Sequence, residues 1–282
     1  MSNATAVRPR RIEFAYPSDA LPRHYVGGDL VMSHVVTVLS SLFPEGEDFF
    51  VRSVRNQRDR ITDPTLKAQV AGFIGQEAIH GREHRSFNRR LRGLGYPTRM
   101  IDRLTRVGLA VGGRVLPPKV QLAITAALEH YTATLAEVLL TDPEARAMLD
   151  VDEVRSLLLW HALEESEHKA VAFDVFQSVS GDHGVRTRVM DAVTVGFLLA
   201  VVSGTFVSML GDPATLDLRR VRRSLHGLRR SPWLSADVVG RIRDYNRRDF
   251  HPDDYDTAAL IDEWRTALFG EAGTLADRVR SA

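Results

Sequence analysis

The stretch WHALEESEHKAVAFDV, residues 160–175, decides how this chain is read. A helical period through it aligns Val154, Leu158, His161, Glu165, His168, Ala172 and Val175 on one face, three and four residues apart. That spacing is the buried seam of a helix packed in a bundle. Three ionisable side chains interrupt the seam at its middle. Burying an unpaired carboxylate costs on the order of several kcal/mol, so the pattern demands a partner for each charge.

Three more long helices carry the same anomaly. A helix over about 29–60, kinked at Pro44, has the seam Val36, Ser40, Phe43, Glu47, Phe50, Val54. Thr62-Asp63-Pro64 opens a second, ending near Gly93 and Gly95, with the seam Phe73, Glu77, His80, His84, Phe87, Leu91. A third starts at Pro117-Pro118, runs to about Leu140 and aligns Leu122, Ala126, Glu129, Ala133, Ala136. The fourth spans about Val151 to Val179 and stops at Gly181. Shorter helices are expected around 98–112 and after Asp142-Pro143, and no convincing strand pair is present.

Glu77 and His80 stand three apart, as do Glu165 and His168, so each pair can grip one ion. Glu47 and Glu129 come from the other two helices. Two divalent cations would cancel the four carboxylates, and the histidines would serve as neutral nitrogen ligands. One Glu from each of two helices plus Glu-x-x-His from each of two others is the ligand set of di-iron and di-manganese carboxylate bundles. His161 shares the face of Glu165 and His168 and is read as an extra ligand. His84, one turn beyond His80, is read as a supporting or pocket residue. Glu164 competes with Glu165, and Glu45 with Glu47; spacing and heptad phase favour Glu165 and Glu47. Glu83, Glu137, Glu153 and Glu167 fall off the seams and are expected to be solvated or paired. His130 is read as an ordinary helix histidine. His251, in the loop RRDFHPDDYD (247–256), is read as lying away from the site.

The predicted fold is all-α: a ferritin-like four-helix bundle over about 28–180, with a helical C-terminal extension over about 185–282. Residues 1–12 are expected to be a flexible tail, leaving 13–282 as a single helical domain.

Among 282 residues, 37 Lys and Arg nearly cancel 36 Asp and Glu, so no global field argues for nucleic acid. The absence of cysteine excludes disulfides, thiolate zinc sites, iron–sulfur clusters and Cys nucleophiles. The N-terminus, MSNATAVRPRRIEF, has no apolar core of the secretory kind, and a cytoplasmic location is expected. Ala192–Leu210 is 19 residues without a charge, close to the ~20 that span a bilayer. Gly196, Ser203, Gly204, Thr205 and Ser208 dilute it, so it is read as a buried helix of a large helical protein. Membrane contact through 192–210 is the alternative.

The segments FPEGEDFF (43–50), GQEAIHGREH (75–84), ALEHY (127–131), WHALEESEHKAVAFDV (160–175) and DFHPDDYD (249–256) resemble a ferritin-like group of bacterial proteins described as predicted metal-dependent hydrolases. The ligand order is also similar to that of the di-iron arylamine N-oxygenases: Glu47, then Glu77-Ala-Ile-His80, then Glu129, then His161 through Glu165 to His168. The third histidine, His161, is the shared oddity. This second resemblance is confined to ligand pattern and helix order.

Carboxylate and imidazole ligands without sulfur suit iron first, with manganese or zinc as alternatives. The expected function is O₂-dependent oxidation or oxygenation of a small apolar or aromatic molecule at a di-iron site, served by an electron donor. The alternative is two-metal hydrolysis of an ester, amide or phosphate; iron handling ranks third. A homodimer is a further expectation.

Overall fold

The computed structural model describes residues 7–16 and 21–280. No strand occurs among them. The helices are α1 (Leu30–Arg55), α2 (Pro64–Gly93), α3 (Thr98–Val115), α4 (Pro118–Thr141), α5 (Pro143–Ala147), α6 (Asp152–His168), α7 (Val171–Val179), α8 (His183–Leu210), α9 (Leu218–Arg229), α10 (Ala236–Asp244) and α11 (Ala258–Phe269). Aspartate side chains cap several of them. Asp29 caps α1 through Met32 N at 2.8 Å, and Asp63 caps α2 through Thr65 N at 2.8 Å, just ahead of Pro64.

Helices α1 and α2 pack as one pair and α4 with α6 and α7 as another; α1 meets α4, and α2 meets α6 and α7, closing a helical bundle. The connection between the pairs runs through α3, which lies on α1. Pro44 sits inside α1 and cannot donate to the carbonyl of Ser40. Asn88 Nδ2 of α2 takes that carbonyl instead, at 2.8 Å.

Three expectations are corrected. The fourth helix is not continuous: it breaks after His168, and α7 restarts at Val171. At the break Lys169 turns inward, its Nζ donating to the carbonyl of Tyr255 and lying 3.4 Å from Glu137 Oε1. The tail is not loose over residues 7–12; residues 1–6 lie outside the described residues. Val7 and Pro9 run across α2 at Gly72 and Gly75, where an added Cβ would come 2.1 Å from Val7 O and 2.3 Å from Pro9 Cγ. Ile12 is buried, and Arg11 O accepts from Arg280 N at 2.9 Å, so the two ends of the described chain touch. The apolar helix α8 is not buried: it packs on α1 and α4 along one side and exposes about half of its apolar side chains, among them Val195, Leu198, Leu199, Val202, Phe206 and Leu210.

Candidate metal centre

Four helices deliver the seam residues into one volume. Glu47 of α1, Glu77 and His80 of α2, Glu129 of α4, and His161, Glu165 and His168 of α6 are each at most 5 % exposed. Both three-residue spacings close as pairs: His80 Nδ1 is 3.8 Å from Glu77 Oε1, and His168 Nε2 is 3.6 Å from Glu165 Oε1.

The atoms form two groups. Glu47, Glu77 and His80 each bring one ligating atom within 4.8 Å of the others, as do His80, His161 and Glu165. Glu77, Glu129 and His168 form the second group by the same measure. Glu77 belongs to both, and Glu165 Oε1 lies 3.6 Å from His80 Nδ1 and from His168 Nε2 alike. Two ligand clusters therefore share two carboxylates between them.

The residues fit a cation pair because so many buried atoms lack any other partner. Both carboxylate oxygens of Glu47, Glu77 and Glu129, Oε2 of Glu165, Nδ1 of His80 and Nε2 of His168 make no hydrogen bond. His168 Nε2 is 3.0 Å from Glu77 Oε1 and 3.3 Å from Glu129 Oε2, but without hydrogen-bond alignment. So many orphaned polar atoms in one place are costly unless an ion takes them.

The surrounding hydrogen bonds turn a bare nitrogen of each histidine toward the centre. Gln76 Nε2 donates to Glu167 Oε2 at 2.8 Å, which leaves Gln76 Oε1 to accept from His168 Nδ1 at 2.9 Å. The lone pair of His168 is then on Nε2, facing Glu77 and Glu129. His80 Nε2 donates to Glu164 Oε2 at 3.0 Å, leaving Nδ1 bare. The third chain starts at Pro44. Asn88 Nδ2 is committed to the carbonyl that Pro44 releases, so Asn88 Oδ1 accepts from Ser40 Oγ at 2.8 Å. Ser40 Oγ then accepts from His84 Nδ1 at 2.9 Å, and His84 Nε2 from His161 Nδ1 at 2.7 Å. In the neutral ring His161 Nε2 then carries no proton, and its 2.9 Å hydrogen bond with Glu165 Oε1 would give way to an ion held between the two. Partners of this kind fix the tautomer and orientation of metal-ligating histidines.

Arg10 closes the support. It donates to Glu164 Oε1 at 2.8 Å and to both oxygens of Glu167, at 2.8 and 2.6 Å. Arg265 Nε adds a bond to Glu167 Oε1 at 2.7 Å.

Without an ion the centre would hold protons. Burial first, then the charge of Glu129, pushes Glu77 up to about 8; burial and Glu165 push Glu129 up to about 7. Burial and Glu77 raise Glu47 well above the ordinary range. Glu165 goes the other way: burial opposes ionisation, but His168 and His161 hold its carboxyl well below the usual value. Burial and the neighbouring His161 hold His80 and His84 low, suiting both to the neutral form.

The competing residues separate clearly. Glu164 faces the back of His80 and Arg10, outside the cluster, while Glu165 points in. Glu45 is on the outer side of α1, bonded to Arg106 Nε at 3.1 Å. Glu83, Glu137 and Glu167 are buried and paired rather than solvated. Glu153 is half-buried and pairs with Arg278. His130 bonds the carbonyl of Arg241 at 2.8 Å, and His251 bonds Asp174 Oδ1 at 2.9 Å, away from the cluster. Sequence reasoning missed Arg10, Gln76 and Asn88 as supports. Gln76 adjoins Glu77, and Asn88 is four after His84, but Arg10 carries no local signal. A separate triad, His24, His34 and Asp212, has its facing atoms hydrogen-bonded among themselves and to Arg23 and Ser208, and so pins α8 to α1.

A pocket of about 720 Å³ adjoins the centre. His161 and Glu165 form its inner end; Phe43, Leu39, Leu135, Leu158, Phe197 and Leu198 are among its apolar walls. Phe43 sets its ring edge against His84 and His161, with centroids 4.8 and 5.1 Å away.

An all-α bundle with a buried carboxylate–imidazole cluster able to hold metal ions is the class that fold and site define. The profile of the family described as "predicted metal-dependent hydrolase" matches residues 8–256, and the chain belongs to that family. Comparison with curated proteins and with solved structures returns no match.

Proposed function

We propose that the chain is a dinuclear metal enzyme acting on a small, largely apolar molecule. One ion would be held by Glu47, His80 and His161, the other by Glu129 and His168, with Glu77 and Glu165 between them. The observation that carries this reading is the set of partnerless buried carboxylate and imidazole atoms at the inner end of an apolar pocket. A hard, nitrogen-enriched ligand set suits iron, then manganese or zinc. Bound iron would supply O₂-dependent oxidation, the reaction favoured here. The chain's own part is to orient three imidazoles, keep water off with Phe43 and its apolar neighbours, and seat the substrate beside His161 and Glu165.

The family description favours a second reading, hydrolysis, in which the same ions would activate water against an ester, amide or phosphate. The purified chain, loaded anaerobically with ferrous ion and then exposed to O₂, separates the two. Two ions per chain with O₂ uptake supports oxidation. Metal-dependent cleavage of generic esters or phosphodiesters, with no O₂ uptake, overturns it in favour of hydrolysis.

A further inference from the structure

The outer side of α8 is apolar where it meets solvent. Val195, Leu198, Leu199, Val202, Phe206 and Leu210 recur at helical spacing and are 52–69 % exposed. Soluble proteins rarely leave so long an apolar stripe uncovered. The helix is long and apolar enough to cross a membrane, but its other side is committed. It packs along α1 and α4, and at Gly204 a Cβ would come 2.9 Å from Val38 Cγ1. Crossing a bilayer would carry α1 and α4 into hydrocarbon, so α8 can only lie along a surface.

The next helix supplies charge. Beyond the exposed Leu216, α9 exposes Leu218 and Leu225 together with Arg219, Arg222, Arg223 and Arg229, and the exposed Arg230 follows it. Among the described residues, none of these five guanidinium groups pairs with a carboxylate. The chain as a whole is nearly neutral, so this basic patch is local. The pocket of the metal centre opens here too: Val195, Leu198 and Leu234 line its outer part and are themselves exposed.

We propose that the α8–α9 face docks flat on an anionic lipid bilayer. The apolar side chains enter the boundary between headgroups and acyl chains, and the arginines of α9 meet lipid phosphates, the recognised pattern of an in-plane amphipathic anchor. A second copy of this chain fits the face less well, because apposing two such faces stacks unpaired arginines against one another. A substrate carrying a hydrocarbon chain then passes from the bilayer into the pocket without crossing water. That last step rests on the proposed function of the metal centre; docking does not.

The test is partition of the full chain, with and without metal, onto vesicles of phosphatidylcholine mixed with phosphatidylglycerol, and onto phosphatidylcholine alone, at low salt. Binding to the anionic vesicles is expected in both metal states. Replacing three arginines, R219Q/R222Q/R223Q, is expected to weaken it on the order of 100-fold, and Leu199→Asp with Phe206→Asp to abolish it. Circular dichroism of these surface variants checks that they fold. Absence of wild-type binding to anionic vesicles overturns the proposal. So does a stable dimer, dissociated by the Leu199→Asp and Phe206→Asp pair, that does not bind vesicles. Binding without metal-dependent activity leaves docking standing and removes only the function read from the centre.

Discussion

Arg10 holds Glu164 by one carboxylate oxygen, at 2.8 Å, while the other oxygen accepts the Nε2 proton of His80 at 3.0 Å. Burial favours the neutral Glu164 carboxyl, and this guanidinium opposes that by favouring the ionised form that accepts from His80. Arg10→Gln would remove the opposition and shift Glu164 further toward a protonated carboxyl that donates to His80 Nε2, moving the imidazole proton to Nδ1, where the ion would bind. Metal affinity should fall roughly 10- to 100-fold, the usual cost of losing such a support. Competition with a chelator of known affinity measures it; an unchanged affinity would refute the tautomer argument.

Removing a ligand should cost more. His168→Ala and Glu77→Ala should each lose at least one of two bound ions, read by elemental analysis of the desalted protein. Glu45→Gln, on the outer side of α1, should keep both. Full occupancy in the first two variants would remove the ligand assignment.

The metal-free protein should lose stability as pH rises from about 6.5 to 9. The carboxyls of Glu77 and Glu129 have ordinary values near 4.5 and are raised to about 8 and about 7 in the fold. Below about 6.5 the lowered His80 and His84 oppose their effect; above it the folded state binds more protons than the unfolded chain at these sites, and the linkage slope is negative. Metal should reverse the trend, because ligands must shed protons to bind it. Thermal unfolding at several pH values, with and without chelator, checks both signs.

Phe43→Ala should leave metal content unchanged while enlarging the pocket beside His161. The substrate range should shift toward bulkier molecules, and stability should fall by about 3 kcal/mol or less, since Phe43 is only partly buried. Loss of metal in this variant would mean that the ring positions His84 and His161 rather than shaping the pocket alone.

Gly72→Ala should act at a distance. Its methyl would collide with the carbonyl of Val7, lifting the segment that carries Arg10. The variant should reproduce the metal loss of Arg10→Gln, whereas Gly113→Ala, where a methyl meets open space, should not.

The four seams were readable from sequence because a buried carboxylate is costly wherever it falls, so Glu47, Glu77, Glu129 and Glu165 stood out against apolar neighbours at helical spacing. The histidine supports were less readable. Asn88 and Ser40 matter because Pro44 frees one carbonyl, a consequence that emerges only when α1 lies against α2. Arg10 was unreadable: its segment has no periodicity, and its carboxylate partners are more than 150 residues away. The break after His168 has neither proline nor glycine to announce it. The apolarity of α8 was plain, but composition does not say which side of a helix faces water.

The contact between Arg11 and Arg280 has a practical corollary. A bulky group attached at Arg280 would press on the strap that carries Arg10 and so reach the metal centre from outside. A covalent link between residues 11 and 280 would brace the strap instead, and should tighten metal retention.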